Sequence, residues 1–198
     1  MFSSDDLSSL RWDADTGAVE IIDQTLLPHT LQWVRLDSLP AYCRAISDMQ
    51  VRGAPLIGIT AAFGLAHAML EDPSDAGLER ASATLLKTRP TAVNLRWALN
   101  EVKQEVQPLA TVERAVAALR KAVALRGEDI ANCASIGEHG LALLRELPRG
   151  ERLNIMTHCN AGGLATSGYG TALAVVFAAH AAGKRPHVYA DETRPLLQ

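Results

Sequence analysis

The pattern of apolar and polar residues divides the chain into a mostly helical first part and a second part ordered strand–helix–strand. Val19-Glu20-Ile21-Ile22 and Leu31-Gln32-Trp33-Val34 are short, β-branched or aromatic segments between turn formers, so they predict a small sheet. Downstream, apolar residues recur three and four positions apart, which is typical of helices. These residues are Leu39, Tyr42, Cys43, Ile46 and Met49; Ile59, Ala62, Phe63 and Ala66; Leu95, Ala98, Leu99, Val102 and Val106; Val112, Ala115, Val116, Leu119 and Val123; and Ile136, Gly140, Leu141 and Leu144.

Local signals place the ends of three of these five predicted helices. Pro55 suits the first turn of the second helix, which is apolar nearly all round and should therefore be buried. Thr91 is a candidate N-cap for the third helix. The fifth helix should stop near Pro148-Arg149-Gly150.

The second part of the chain has the order of a βαβ unit. Leu153–His158 predicts a strand, the segment from Asn160 to Gly170 is glycine-rich, and a helix from Thr171 to Ala182 should end at Gly183. His187–Ala190 then predicts a second strand, parallel to the first. The fold class is therefore α/β, with an N-terminal helical domain over 1–125, a connecting helix over 126–150 and the βαβ unit over 151–198. Parallel sheets have further strands, so we expect this domain to be incomplete in the chain, by truncation rather than through a partner chain.

Composition narrows the class of protein. The chain has 198 residues, 48% of them hydrophobic, and a formal net charge of -3, which gives it no electrostatic reason to coat nucleic acid. The acidic, polar N-terminus argues against a secretory signal, and no charge-free apolar run reaches the length of a membrane helix. Three widely spaced cysteines argue against a disulfide framework or a structural zinc site, so we expect a reducing cytoplasm.

The thiol of Cys159 is the first candidate for chemistry. It directly follows a predicted strand, where ligands of open α/β sheets gather. A reactive thiol and a buried Cys that ends a core strand both fit this position. The glycine-rich segment after it is neither a Walker A loop nor GxGxxG, and it fits an anion-binding turn or a plain strand-to-helix connection.

Two arginines precede predicted helices. Arg52, followed by Gly53 and Ala54, lies before the buried helix, where a guanidinium suits a fork-like grip on a phosphate. Arg89 lies just before the helix that carries Leu95, so its charge and the helix N-terminus can face one anion. For each arginine the alternative is an ordinary surface position.

Other ionisable residues give weaker signals. His158 neighbours Cys159, but adjacent strand residues point to opposite faces, which disfavours a Cys–His dyad. Asp191 and Glu192 follow the second strand and suit either acid–base chemistry or a solvated loop. The remaining histidines have no metal-ligand spacing.

Four segments together resemble the methylthioribose-1-phosphate isomerases. They are Val51–Pro55, Arg89–Leu95, Thr157–Gly162 and Asp191–Pro195, in the order and spacing of that family and over nearly the whole chain. The wider superfamily includes regulatory subunits of the translation factor 2B complex and ribose-1,5-bisphosphate isomerases.

The resemblance implies a fold, an activity and a site. It implies a small, mostly helical domain on a Rossmann-like domain, a homodimer, a small-molecule sugar-phosphate substrate and no metal or nucleotide cofactor. It implies the conversion of 5-methylthioribose 1-phosphate to 5-methylthioribulose 1-phosphate in methionine salvage. The residues carried over are Cys159 as the catalytic thiol and, for substrate binding, Arg52, Gly53, Ala54, Arg89 and Gln198.

The pattern is matched for only one of two catalytic residues. The family pairs the Cys with an Asp, and adds an Asn-Lys pair, at positions that lie beyond Gln198. We therefore expect residues 1–198 alone to have little activity and an open strand edge that favours association. The alternatives are a non-catalytic translation factor 2B-type subunit, a ribose-1,5-bisphosphate isomerase with a second basic cluster, and a nucleotide-binding module, which the glycine spacing disfavours.

Overall fold

The computed structural model describes residues 8–145 and 152–191. Helices predominate, and there are two small sheets. The strands are β1 (Leu10–Trp12), β2 (Val19–Ile22), β3 (Trp33–Leu36), β4 (Arg152–Thr157) and β5 (Arg185–Ala190). The helices are α1 (Leu39–Ser47), α2 (Ala54–Glu71), α3 (Asp75–Thr88), α4 (Val93–Val106), α5 (Thr111–Arg145) and α6 (Ala172–Ala181), and a 3₁₀ turn covers Gly163–Ala165.

The N-terminal sheet is antiparallel, in the order β1-β2-β3. Leu10 pairs with Ile21, and both side chains are fully buried, so one face of the sheet joins the core. The prediction of β2 is confirmed. β3 begins later than predicted, at Trp33, and β1 carried too short an apolar pattern to be predicted.

Helix α2 lies at the centre of the core, in contact with α1, α3, α4 and α5. The sequence predicted its burial and Pro55 in its first turn, and both predictions are confirmed. The helix is long and apolar enough to cross a membrane, but 72% of that window is buried inside the fold. A core helix that is surrounded by other helices needs the same composition, which accounts for the finding. A Cβ on Gly58 would lie 2.8 Å from the carbonyl oxygen of Asn94, so α2 and α4 pack closely.

The helix predictions before α5 need three corrections. α1 ends at Ser47, and Met49, predicted in that helix, lies outside it with φ 61°. The amphipathic helix α3 was not predicted, although Ser74 caps it by accepting a hydrogen bond from the Gly77 amide at 3.0 Å. The prediction that Thr91 caps the third helix is wrong, since the N-cap of α4 is Ala92.

The two helices predicted between Val112 and Leu144 are a single helix, α5. This helix begins at Thr111, 15 residues before the connecting helix that was predicted to begin at 126. Within the described residues, no chain break or loop marks a domain boundary at 125, and the predicted domain limits stay a prediction. The predicted apolar face was partly correct, since Ala115, Leu119 and Val123 pack against the core. Val112 and Val116, however, are 84% and 73% exposed, and Ala118 and Ala122 are buried instead. The predicted stop at Pro148–Gly150 lies outside the described residues.

The predicted βαβ unit is confirmed. β4 and β5 pair in parallel, with Ile155 opposite Val188, and α6 connects them. Gly183, with φ 77°, follows the last turn of α6 as predicted. This unit packs on the end of α5, where Gly140 leaves room for the side chain of Val175. Whether it begins a Rossmann-like domain stays a prediction.

Candidate active site

Cys159 follows the carboxyl end of β4 and is exposed. Its φ of 67° lies in the left-handed region, which few non-glycine residues adopt. Such backbone strain clusters at functional sites. Because Cys159 is exposed, the possibility that it is a buried Cys at the end of a core strand is wrong. The reactivity of its thiol stays a prediction.

The thiols of the other two cysteines lie in less reactive surroundings. Burial raises the pKa of the Cys43 thiol. Burial also raises the pKa of the Cys133 thiol, and the nearby Asp129 carboxylate adds to that rise. The thiolate is the nucleophile, so both groups are mostly unreactive at neutral pH.

The ends of β4 and β5 are joined by a side-chain pair. His158 Nδ1 lies within hydrogen-bonding distance of Asp191 Oδ2, and both residues are exposed. The sequence disfavoured a Cys159–His158 dyad, and in the described part of the chain the partner of His158 is Asp191 instead. Parallel strands bring their carboxyl ends together, so Asp191 stands beside the Cys159 segment.

The segment from Asn160 to Gly170, which we call the glycine-rich loop, is a folded turn and not an open connection. Gly162 and Gly170 form an isolated bridge, and the Ala165 amide donates to the Gly162 carbonyl at 3.0 Å. The hydroxyl of Thr166, which is 1% exposed, accepts from the amides of Gly168 at 3.3 Å and Gly170 at 3.1 Å. The loop therefore has a defined backbone.

The Arg52 segment contacts this loop through Gly53. Gly53 is the N-cap of α2, with φ 90°, and a Cβ there would lie 2.4 Å from Ala165 Cα. Only glycine allows so close an approach in that conformation. Arg52, which is half-buried, and Ala54, which is exposed, thus flank a contact between the start of α2 and the glycine-rich loop.

Arg89 lies at the same end of the helix pair as Arg52. It is the C-cap of α3 and precedes α4, whose second residue, Asn94, packs on Gly58 in the second turn of α2. Within residues 8–145 and 152–191, no side chain caps the first amides of α2 or α4. Helix N-termini that are preceded by arginine residues are a combination that favours an anion.

Three residues that hold the glycine-rich loop were not predicted from the sequence. Ser9, Gln24 and Asp129 all bind the backbone of the glycine-rich loop, from 154, 140 and 38 residues away along the chain. Burial raises the pKa of the Asp129 carboxyl, although its hydrogen bonds with Ser167 oppose this rise. No local pattern marks such contacts, because they depend on the tertiary fold.

Several of the predictions about site residues stay predictions. Gln198 and Glu192 lie outside the described residues, and the roles of Cys159, Arg52, Gly53, Ala54 and Arg89 stay predictions. Over 8–145 and 152–191, no group of three or more His, Cys, Asp and Glu residues is placed to hold a metal ion. Among the described residues, Thr157 Oγ1 and Asn160 Nδ2, beside and in the loop, are buried polar atoms without a hydrogen-bond partner.

Curated relatives resemble the chain in sequence. The methylthioribose-1-phosphate isomerase of Methylocella silvestris is 52% identical over 192 residues, covering 94% of this chain and 52% of the relative. That of Dechloromonas aromatica is 54% identical over 192 residues, covering 96% and 53%. The chain therefore spans about half the length of the curated relatives it matches.

Two solved structures and a family model complete the comparison. The 5-methylthioribose 1-phosphate isomerase of Pyrococcus horikoshii superposes with a TM-score of 0.85 at 34% identity, over 100% of this chain and 57% of the other. The translation initiation factor eIF-2B subunit delta of A. fulgidus gives 0.81 at 36% identity, over 96% and 56%. The model of the Initiation factor 2 subunit family matches residues 50–198. With its site segments and three quarters of its length inside that match, the chain belongs to the Initiation factor 2 subunit family.

Proposed function

We propose that the chain carries the thiol and the phosphate-binding half of a methylthioribose-1-phosphate isomerase site. One observation carries the proposal: an exposed Cys159 in a left-handed conformation leads into a loop that touches Gly53, next to Arg52. The names of the relatives from Methylocella silvestris and Dechloromonas aromatica supply the substrate, 5-methylthioribose 1-phosphate.

The reaction moves a hydrogen from C2 to C1 of the opened sugar. The phosphate is on C1, so the ring must open before either of two routes begins. An enediol route needs a base for the C2 proton and an acid that returns a proton at C1. A hydride shift needs a dry site and polarised oxygens instead. Both routes require two groups in opposite protonation states, and Cys159 is proposed as one of them.

Arg52 and Arg89 are proposed to hold the phosphate together with the first amides of α2 and α4. A guanidinium forms paired hydrogen bonds with phosphate oxygens, and the helix N-termini add partial positive charge. A phosphate fixed at this end of the helix pair orients C1 and C2. Orientation of this kind can lower a barrier by about 7–11 kcal/mol when the reacting atoms are well aligned.

We also propose an oligomeric state, a cellular location and a domain type that accompany this activity. We propose a homodimer in the cytoplasm, with β4 and β5 as the first strands of a Rossmann-like domain and with no metal or nucleotide cofactor. The earlier expectation that residues 1–198 alone turn over slowly stands as a further proposal.

A non-catalytic regulatory role is the second candidate. The similarity to the A. fulgidus eIF-2B subunit delta favours it, at a TM-score of 0.81. Such a subunit would bind a sugar phosphate or a partner protein through the same fold and would not need the thiol of Cys159. A ribose-1,5-bisphosphate isomerase would need a second basic cluster for its second phosphate.

Phosphorus and proton NMR of 5-methylthioribose 1-phosphate tests the proposal. The assay uses residues 1–198 and, in parallel, the chain extended to the length of its relatives. Loss of the anomeric C1 proton signal in either form, abolished by Cys159→Ser and kept by the matched control Cys43→Ser, is the expected result. If neither form converts the sugar but both bind it, the regulatory role is favoured.

A further inference from the structure

Three side chains from distant parts of the chain, two of them fully buried, bind the backbone of the glycine-rich loop. The Ser9 hydroxyl donates to the Gly163 carbonyl at 3.0 Å and lies 3.3 Å from the Thr166 carbonyl. Gln24 Nε2 donates to the Leu164 carbonyl at 2.7 Å. Asp129 Oδ2 accepts from the Ser167 amide at 2.6 Å.

The three side chains come from three different places in the fold. Ser9 lies just before β1, Gln24 follows β2, and Asp129 is on α5. Ser9 and Gln24 are fully buried, and Asp129 is half-buried. A buried polar group is costly without its partner, so each bond resists displacement of the loop.

These contacts determine where the Cys159 segment can lie. Cys159 is outside any strand or helix, and the backbone after it is held within the loop from Ala161, whose carbonyl accepts from the Thr171 amide at 3.0 Å, and by distant side chains from Gly163 onwards. Gly168 also packs closely on α5, since a Cβ there would lie 3.3 Å from Cys133 Cβ. The backbone of residues 163–168 is thus fixed against β1, β2, α5 and, through Gly53, the start of α2.

We infer that Ser9, Gln24 and Asp129 are positioning residues, which fix the glycine-rich loop and thereby place the Cys159 thiol relative to Arg52. They act through the loop backbone and do not touch the reacting atoms. The consequence for turnover rests on the proposed isomerase function, whereas the placement of the thiol does not. In an active site, a misplacement of about 1 Å can reduce the rate about a hundredfold.

One pair of variants at Asp129 isolates the hydrogen bond from the bulk of the side chain, and a variant at Gln24 tests a second element. Asp129→Leu removes the acceptor at similar volume, and Asp129→Asn retains an oxygen that can accept from the Ser167 amide. Gln24→Met removes the donor to Leu164 from a different element. Ser74→Ala is the matched control, because it deletes the same kind of side-chain acceptor, for the Gly77 amide, at the start of α3.

Steady-state isomerase kinetics is the first readout, on the form of the chain that turns over. Asp129→Leu and Gln24→Met should each lower kcat by about tenfold to a hundredfold while KM changes less than about threefold, because the phosphate-binding residues are untouched. Asp129→Asn should restore most of kcat. Ser74→Ala should leave kcat per folded molecule unchanged.

The second readout needs no substrate. We expect the alkylation rate of Cys159 by iodoacetamide to change at least about threefold in Asp129→Leu and Gln24→Met, and to return towards wild type in Asp129→Asn. An unchanged alkylation rate of Cys159 in Asp129→Leu and Gln24→Met would overturn the inference. An equal change of that rate in Asp129→Leu and Asp129→Asn would overturn it too. If neither form of the wild-type chain converts the sugar, the proposed function fails, and the alkylation rates alone decide whether these residues place the thiol.

Discussion

At the scale of single residues, the three cysteines should differ sharply in reactivity. Burial raises the pKa of the Cys43 and Cys133 thiols, so their thiolates appear only at higher pH, whereas Cys159 is exposed. We expect iodoacetamide near pH 7.5 to modify Cys159 first. The rates at Cys43 and Cys133 should rise as pH increases towards their raised pKa values. Mass spectrometry of peptides over time measures all three rates.

The Cys159→Ser variant is the control for this labelling. It should lose the fast phase and leave the slow modification of Cys43 and Cys133 unchanged. Fast modification of Cys133, which is 1% exposed, would contradict the burial described here.

Gly53 gives a second prediction at this scale. In Gly53→Ala the new Cβ would clash with Ala165 at a φ of 90°, whereas Gly17→Ala, at φ 70°, meets nothing within 4 Å. The left-handed conformation alone costs about 1–2 kcal/mol, so Gly17→Ala should lower the free energy of unfolding by about that amount. Gly53→Ala should lower it by a further ~1–3 kcal/mol through overpacking, and its ψ of 137°, which lies outside the αL region, adds to the loss. Urea denaturation measures both, and equal losses would argue against the Gly53–Ala165 contact.

The sequence predicted part of the candidate site at this scale. The segments that contain Arg52, Arg89 and Cys159 stand out because their residue types suit phosphate and thiol chemistry. The left-handed φ of Cys159 was not predictable, since Asn160 and the glycines after it do not require it. The contact between Gly53 and Ala165 joins residues more than a hundred positions apart, and no local pattern encodes it.

At the scale of elements, α5 offers a test of close packing. A Cβ on Gly127 meets nothing within 4 Å, whereas one on Gly140 would lie 2.5 Å from Val175 Cγ2 on α6. Alanine favours a helix over glycine by about 0.5–1 kcal/mol, so Gly127→Ala should raise the free energy of unfolding by that amount. Gly140→Ala has the same gain in helix propensity, but its methyl group overpacks the contact with α6. We therefore expect the free energy of unfolding to fall by ~1–2 kcal/mol.

Thermal and urea unfolding of both variants gives the comparison. Stabilisation by Gly140→Ala equal to that by Gly127→Ala would mean that α6 does not pack on α5 as described. The pair is well matched, because both glycines are in the interior of one continuous helix.

The continuity of α5 also shows what periodicity misses. The sequence predicted an amphipathic helix from Val112 to Val123 and a separate connecting helix over 126–150, and the apolar pattern is weak where the second was expected to begin, at Arg126-Gly127-Glu128-Asp129. In the structure this stretch stays helical, because packing of Leu125 and Cys133 on either side outweighs the weak local propensity. Helix α2, whose burial needs only an unbroken apolar composition, was predicted correctly.

At the scale of the whole molecule, apolar burial is uneven. The main cluster of buried hydrophobic residues runs from Leu10 to Leu125 and includes the N-terminal sheet and α1 to α5. In the parallel unit, Met156 and Tyr189 lie opposite each other and are 77% and 52% exposed. The free energy gained on burial scales with apolar area, at about 25 cal/mol per Å², so residues 152–191 contribute less to stability than the core does.

Native-state hydrogen exchange should therefore separate two levels of opening. Amides of α2 and α4 should exchange only through global unfolding, with a denaturant dependence equal to that of the whole protein. Amides of β4, β5 and α6 should exchange through a partial opening. Its free energy should be several kcal/mol lower than that of global unfolding, and its denaturant dependence weaker. The Ser167 amide, held by Asp129, should be slower than those of β4, and Asp129→Leu should abolish that difference. Equal protection of α2 and β4 at every denaturant concentration would instead mean that the chain unfolds as one cooperative unit, despite its uneven core.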